Sequence, residues 1–119
     1  LEAALRLGTA GALLDPEELV RALGEGWVAE ETLAVALYAV LATAPAPTAA
    51  DGRPEAHFRA AIAVAVNHSG DSDSTASIAG NILGTFYGED CLPAEWLDVL
   101  EAPEVIRGMA SQLAAVTGA

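Results

Sequence analysis

The chain has 119 residues, and its 17 acidic and 5 basic side chains give a net charge of -12 at pH 7. Such an acidic protein is repelled by phosphate backbones and anionic lipid headgroups, which argues against nucleic-acid and membrane partners. The single cysteine, Cys91, excludes an internal disulfide and a cysteine-based metal site, and a cytoplasmic location is expected.

The chain is unusually apolar for its length. Apolar residues make up 53% of it, and its mean hydropathy is +0.38. An isolated domain of this size has a large surface for its volume and does not comfortably bury so much apolar material. The chain also opens at Leu1 in a run typical of the last turns of a helix, with Gly8 as the expected C-cap. We therefore expect one compact region of a larger protein.

A capping motif marks the start of the first complete helix. Asp15 is a good N-cap, Pro16 suits the first helical position, and Glu18 completes a capping box. This helix is expected to end at Gly24 or Gly26, because glycine commonly terminates helices.

Helical periodicity dominates the rest of the chain, and no segment has the sustained alternation of a strand. Further helices are predicted over about residues 29–43, 54–67, 74–87, 93–99 and 103–116, with a polar loop over 47–53. The helices at 29–43 and 54–67 are apolar on every side, which is typical of helices buried in a bundle core. The predicted fold class is therefore all-α, with several buried helices.

Residues 67–74, hereafter the acidic segment, concentrate the polar chemistry of the chain. Asp71 and Asp73 lie two residues apart, and Ser74 adds a hydroxyl oxygen beside them. In an extended loop such carboxylates point the same way, and clustered hard oxygen ligands suit Mg²⁺ or Mn²⁺. The same residues are also good N-caps and first-turn residues, so capping of the next helix is an open alternative.

Other side chains that carry chemistry are more isolated. His68 either hydrogen-bonds a ligand carboxylate, as a support behind the metal ligands, or packs a helix end. His57 is expected to be an exposed residue of a first helical turn, and Cys91 an inert thiol. Trp27 follows two nearby glycines and is expected to pack rather than to line a ligand cleft.

Small residues recur every four positions along the helix predicted after the acidic segment. They form a stripe of Ala76, Gly80, Gly84 and Gly88. Glycine in a helix interior costs about 1 kcal/mol relative to alanine, so a close approach of another backbone or of a ligand is the expected reason for it, and tight helix packing is the favoured one.

These motifs together resemble a known family. The ADP-ribosylglycohydrolases are similar to this chain over Asn67-His68-Ser69-Gly70-Asp71-Ser72-Asp73-Ser74, continued by Ile78-Ala79-Gly80. They are also similar over the upstream run 23–31 and the downstream run 92–96. The resemblance covers the chain from about residue 19 to residue 115, and a Gly-Asp-x-Asp-Ser/Thr motif in this setting is far more specific than Asp-x-Asp alone.

The resemblance implies a multi-helix orthogonal bundle, of which residues 1–119 would be the C-terminal portion of a single domain. It implies two Mg²⁺ ions, or Mn²⁺ in their place, with Asp71, Asp73 and Ser74 as metal ligands. Ser74 departs from the commoner threonine but retains the hydroxyl oxygen. The other ligands and the catalytic residues would belong to an N-terminal portion that nothing here matches, so that portion would be a partner of this chain.

The implied function is removal of ADP-ribose from a modified acceptor, or cleavage of a related ADP-ribose derivative. The implied mechanism is attack of water at the anomeric carbon of the ribose, with substrate oxygens held at the metal site. Two alternatives stay open at this point. One is a non-catalytic ADP-ribose-binding or immunity-type relative, and the other is a structural helical fragment whose acidic segment only caps a helix.

Overall fold

The computed structural model describes residues 1–45 and 53–118. The helices, in chain order, are α1 (Glu2–Thr9), α2 (Pro16–Leu23), α3 (Ala29–Ala42), α4 (Pro54–Val66), α5 (Ser72–Tyr87), α6 (Ala94–Leu97) and α7 (Pro103–Thr117), with a 3-10 turn at Glu89–Cys91. These ranges contain no strand, so the prediction of an all-α fold is confirmed. The loop predicted over 47–53 lies outside the described residues except for Arg53.

Helix α3 lies at the centre of the molecule and packs against α1, α2, α4 and α5. Val35, Ala36, Tyr38 and Ala39 are fully buried, and no residue from 31 to 43 is exposed. The expectation of a helix buried on every side is therefore confirmed for α3, because its neighbours leave no face for polar side chains.

The capping motif before α2 is formed as predicted. The Asp15 side chain accepts hydrogen bonds from the backbone N–H groups of Glu17 and Glu18, with both oxygen–nitrogen distances near 3 Å (3.0 and 2.9 Å). The connection from α1 is held by Tyr38, whose hydroxyl accepts from the N–H of Leu14 at 2.7 Å. Helix α2 then ends at its C-cap, Gly24.

Gly8 does not end the first helix. It lies inside α1, where a Cβ atom would come within 2.7 Å of the Cβ of Leu41 on α3. The expectation of a C-cap was wrong because the glycine serves a close helix–helix approach instead. The first glycine in a left-handed conformation comes two residues after the end of α1, at Gly11, with φ of +71°.

Helix α4 is less buried than its sequence indicates. Phe58, Ala61 and Ala65 face the core, but Ala60, Ala63 and Val66 are exposed. Within the described residues α4 is covered mainly by α3, α5 and the 3-10 turn, so its opposite side has no cover. The expectation of burial all round is wrong for this helix.

His57, at the start of α4, was expected to be exposed, and this was wrong. Only 7% of it is exposed, and its ring bridges two other helices. Its Nε2 lies 2.9 Å from the carbonyl oxygen of Val40 on α3 and its Nδ1 lies 2.9 Å from the hydroxyl of Tyr87 on α5. Because a carbonyl only accepts, Nε2 carries the proton and Tyr87 donates to Nδ1.

Helices α6 and α7 add little to the core of the described residues. Trp96 and Leu100 are both about two-fifths exposed (41% and 45%), and α7 contributes no buried residue. An ion pair between Arg107 and Glu89 connects α7 to the 3-10 turn. The apolar side chains of α7 that face solvent are Val105, Ile106, Met109, Leu113 and Val116.

Among the described helices, none is long and apolar enough to cross a membrane.

Candidate functional site

The candidate site is built where two loops cross. Residues 24–28, hereafter the glycine loop, join α2 to α3, and the acidic segment joins α4 to α5. The N–H of Asp71 donates to the carbonyl oxygen of Glu25 at 2.7 Å. A Cβ on Gly70 would lie 1.9 Å from that same oxygen, so only glycine permits this crossing.

Helix α5 begins two residues earlier than predicted. Ser72 is its first residue and Asp71 its N-cap, so Asp73 and Ser74 lie in the first helical turn. The assumption that Asp71 and Asp73 share an extended loop was therefore wrong. Both carboxyl groups still lie at the N-terminus of α5, since Asp71 is its N-cap and Asp73 belongs to its first turn.

Asp71 and Asp73 are neighbours at the start of α5, as its N-cap and a residue of its first turn. The pKa of Asp73 is lowered, first by a hydrogen bond with the side chain of Asp71 and then by the backbone N–H groups of Asp73 and Ser74. Asp71 makes no side-chain capping bond, so the capping alternative describes Asp73 better than Asp71.

An open depression of about 490 Å³ lies beside the first turn of α5. Oxygen-bearing side chains are prominent in its wall, since Asp73, Ser74 and Ser77 all reach it from α5 and Thr32 reaches it from α3. Ser77 follows Ser74 by three residues, a spacing that places both hydroxyls on one helix face. The depression can therefore take a polar ligand beside the Asp73 carboxylate.

The donor set matches Mg²⁺ or Mn²⁺ in kind but supplies only part of a site. Asp71, Asp73 and Ser74 offer hard oxygen atoms, as these cations prefer, and Mg²⁺ takes six of them. Across residues 1–45 and 53–118, no group of three or more His, Cys, Asp and Glu side chains could hold a metal. The residues present thus fit a half-site, to be completed by other ligands.

His68 supports the acidic segment from behind. Its Nδ1 accepts from the N–H of Gly70 at 3.1 Å, so Nε2 carries the proton and donates to Thr75 Oγ1 at 2.9 Å. The contact with Thr75 joins the segment to α5, and the contact with Gly70 holds the segment's own turn, which is the packing role that the sequence left open. Hydrogen bonding from His68 to a ligand carboxylate stays a prediction.

Sequence reasoning missed Thr75, which is fully buried under the acidic segment. Its hydroxyl donates to the carbonyl oxygen of Ala65 at 2.7 Å, and its Cγ2 would lie 2.9 Å from a Cβ on Gly26. The sequence offers little signal for it, because a threonine in a first helical turn is unremarkable in itself.

Trp27 was expected to pack, and this was wrong. The indole is 66% exposed, and its Nε1 donates to the Glu25 carboxylate at 3.0 Å. The side chain stands next to Gly26, whose own position is fixed against Asp71 and Thr75.

The stripe of small residues on α5 does not pack tightly against a helix. Gly84 has no atom within 4 Å of an added Cβ, and Gly80 makes only ordinary contacts, the nearest at 3.8 Å. The stripe is the floor of a groove of about 630 Å³, whose apolar walls are Phe58, Ile62, Leu92 and Trp96. Gly88 has a different reason, since it is the C-cap of α5 with φ of +76°.

Comparison with known proteins identifies the same family over the whole chain. Residues 1–119 match a family model described as ADP-ribosylglycohydrolase. The chain is 34% identical over 107 residues to human ADP-ribosylhydrolase ARH3, an alignment that covers 83% of this chain and 28% of that protein.

Two bacterial relatives match over shorter stretches. ADP-ribosylarginine hydrolase Tri1 of Serratia proteamaculans is 42% identical over 57 residues, which cover 48% of this chain and 16% of that protein. The ADP-ribosyl-(dinitrogen reductase) glycohydrolase of Rhodospirillum rubrum is 35% identical over 63 residues, which cover 51% of this chain and 21% of that protein. No solved structure matches the chain. The chain thus spans less than a third of the length of these three relatives.

Proposed function

Because this chain belongs to the ADP-ribosylglycohydrolase family, we propose that the protein containing it hydrolyses a glycosidic bond to ADP-ribose. Water would replace the acceptor at the anomeric carbon of the ribose, and the acceptor would take the remaining proton. The observation that carries the proposal is the position of Asp71, Asp73 and Ser74 at the start of α5, where Asp73 and Ser74 line an open, hydroxyl-bearing depression. The names of the relatives, which include an ADP-ribosylarginine hydrolase, support this bond type.

Asp71, Asp73 and Ser74 are the proposed ligands for two Mg²⁺ ions or for Mn²⁺ in their place. When bound, such ions supply Lewis-acid polarisation of substrate oxygen atoms. The pKa of Asp73 is lowered, which favours the anionic carboxylate that a cation ligand needs. Ser77 extends the polar wall of the depression and would hydrogen-bond a ribose hydroxyl.

The rest of the domain is the proposed partner of this chain, and it would contribute the other metal ligands and the catalytic groups. Two features support this. The half-site has too few carboxylates for a pair of cations, and the apolar faces of α4 and α7 have no cover within the described residues. A cytoplasmic location is part of the same proposal.

The test is an assay of ADP-ribose release by the full-length protein. Peptides carrying ADP-ribose on arginine or on serine are incubated with the protein, and free ADP-ribose is measured by chromatography. We expect release that stops when EDTA removes the metal and returns when Mg²⁺ or Mn²⁺ is restored. Tight binding of ADP-ribose with no release from either peptide would instead favour the non-catalytic relative.

A further inference from the structure

Two side chains outside the proposed ligand set hold the crossing of the two loops. The first is Glu31 on α3, whose Oε2 accepts from the N–H of Gly26 at 3.1 Å. Its carboxyl group also lies against Gly24, where a Cβ would come within 2.4 Å of the Glu31 Cδ. Gly24 and Gly26 have φ of +96° and +82°, in the left-handed region that favours glycine. This backbone conformation lets the glycine loop pack directly against the Glu31 carboxyl group.

The neighbour of Glu31 holds the other side of the same peptide. Thr32 is buried, and its hydroxyl donates to the carbonyl oxygen of Gly26 at 2.7 Å. The N–H and the C=O of Gly26 are thus both bound by the first turns of α3. Since α3 is the central helix, the glycine loop is fixed to the most buried part of the molecule.

The glycine loop in turn fixes Asp71. The hydrogen bond from the Asp71 N–H to the Glu25 carbonyl is short, at 2.7 Å, and Gly70 lies in direct contact with Glu25. A shift of the glycine loop therefore has to carry the backbone of Asp71 with it.

Thr75 holds the crossing from the opposite side. Its buried hydroxyl links the end of α4, at Ala65, to the ring of His68, while its methyl group fills the space beside Gly26. One residue thereby contacts the glycine loop and sets the distance between the end of α4 and the start of α5.

We propose that Glu31 and Thr75 are positioning residues, which act through the crossing to hold Asp71 where a cation can bind. The inference rests on the proposed function, because it takes Asp71 to be a metal ligand. Glu31 is not itself a ligand in this account, since its carboxyl group faces Gly24 and Gly26.

The experiment titrates Mn²⁺ alone into the full-length protein and follows free Mn²⁺ by electron paramagnetic resonance. Glu31→Ala removes the acceptor for Gly26, Glu31→Gln retains an acceptor oxygen, and Glu30→Ala makes the same charge change at an exposed neighbour. Thr75→Val removes the hydroxyl and Thr75→Ser retains it.

We expect Glu31→Ala and Thr75→Val to raise the Mn²⁺ dissociation constant about tenfold or more, as for other groups that orient metal ligands. Glu31→Gln, Thr75→Ser and Glu30→Ala should bind nearly as the wild type does.

The titration is run well below the melting temperature of each variant, so that a loss of stability alone leaves the dissociation constant unchanged. Wild-type affinity in both Glu31→Ala and Thr75→Val would overturn the positioning role while leaving the proposed function intact. A wild-type protein that binds no Mn²⁺ would overturn the proposed metal site and this inference together. If Glu31→Ala does not fold, the comparison of Thr75→Val with Thr75→Ser decides the matter.

Discussion

At the scale of single residues, the acidic segment combines chemistry that is visible in the sequence with support that is not. Asp71, Asp73 and Ser74 lie close together in the chain, so their spacing alone predicts either a helix cap or a cation site, and the family resemblance favours the cation site. The support comes from Glu25, which is 46 residues away from Asp71 along the chain yet accepts its N–H. Sequence periodicity carries no information about such a pairing, because it reports only local geometry.

Gly70 gives the most local prediction. A Cβ at this position would collide with a backbone carbonyl oxygen that cannot rotate away. Gly70→Ala should destabilise the protein by about 1–3 kcal/mol, as overpacking typically does. Denaturant unfolding measures this, with Ser69→Ala at the exposed neighbouring position as the control. Equal stability of Gly70→Ala and the wild type would show that the two loops are farther apart than described.

Cys91 provides a prediction about pH. Burial raises the pKa of its thiol, and the Sγ donates to the carbonyl oxygen of Gly88 at 3.2 Å. A raised pKa means that less thiolate is present at any given pH than in a free cysteine, so alkylation should begin only at higher pH. Native protein should resist a thiol reagent near pH 8 and react once it is unfolded. Rapid labelling of the native state would contradict the buried position.

At the scale of elements, helix boundaries were predictable where caps define them. Helix α2 follows its predicted range closely, because Asp15 caps it through its side chain and Pro16 and Gly24 bound it through their backbone geometry. Helix α5 begins earlier than predicted, because serine and aspartate suit both loops and first turns. The 3-10 turn at Glu89–Cys91 was not predicted, since such short turns have no periodicity to read.

The N-cap of α2 can be tested directly. Asp15→Ala removes the acceptor for two backbone N–H groups and should lower the free energy of unfolding by about 0.5–2 kcal/mol. Asp15→Ser retains a capping oxygen and should lose much less. Chemical denaturation of the three proteins measures the difference. If Asp15→Ser lowers the free energy of unfolding as much as Asp15→Ala does, the loss does not come from the missing capping oxygen.

The His57 bridge between α3, α4 and α5 makes a second prediction at this scale. His57→Leu leaves the Tyr87 hydroxyl and the Val40 carbonyl without their partner and should destabilise the protein by about 1–3 kcal/mol. Tyr87→Phe should cost less, because the histidine still donates to Val40. Thermal unfolding of both variants tests this order, and a larger loss in Tyr87→Phe would contradict the assigned tautomer.

At the scale of the whole molecule, the apolar composition predicts that some apolar side chains stay exposed in this chain, but it does not predict which ones. Trp96 and Leu100 belong to an apolar segment, and a sequence pattern shows which side of a helix is apolar but not what packs against it. In the structure these side chains and the face of α7 meet solvent. The chain spans less than a third of each relative, so the missing cover is expected from the rest of the domain.

The isolated chain should therefore behave as an incomplete domain. We expect residues 1–119 on their own to self-associate, because exposed apolar faces of this kind drive association. We expect no ADP-ribose release from them. Sedimentation velocity compares this chain with the full-length protein, which should associate less. In thermal unfolding the full-length protein should also show a cooperative transition. A stable monomer of residues 1–119 that hydrolyses an ADP-ribosylated peptide would show that the site is complete within this chain.

The central proposal is that the acidic segment holds part of the cation site of an ADP-ribosyl hydrolase. Its most direct test is Mn²⁺ binding and ADP-ribose release by the full-length Asp71→Asn, Asp73→Asn double variant, with Asp98→Asn as a control for the same change at an exposed site. The account predicts that the double variant loses both metal binding and release while its helix content, measured by circular dichroism, stays that of the wild type. Unchanged Mn²⁺ affinity and turnover in the folded double variant would contradict it.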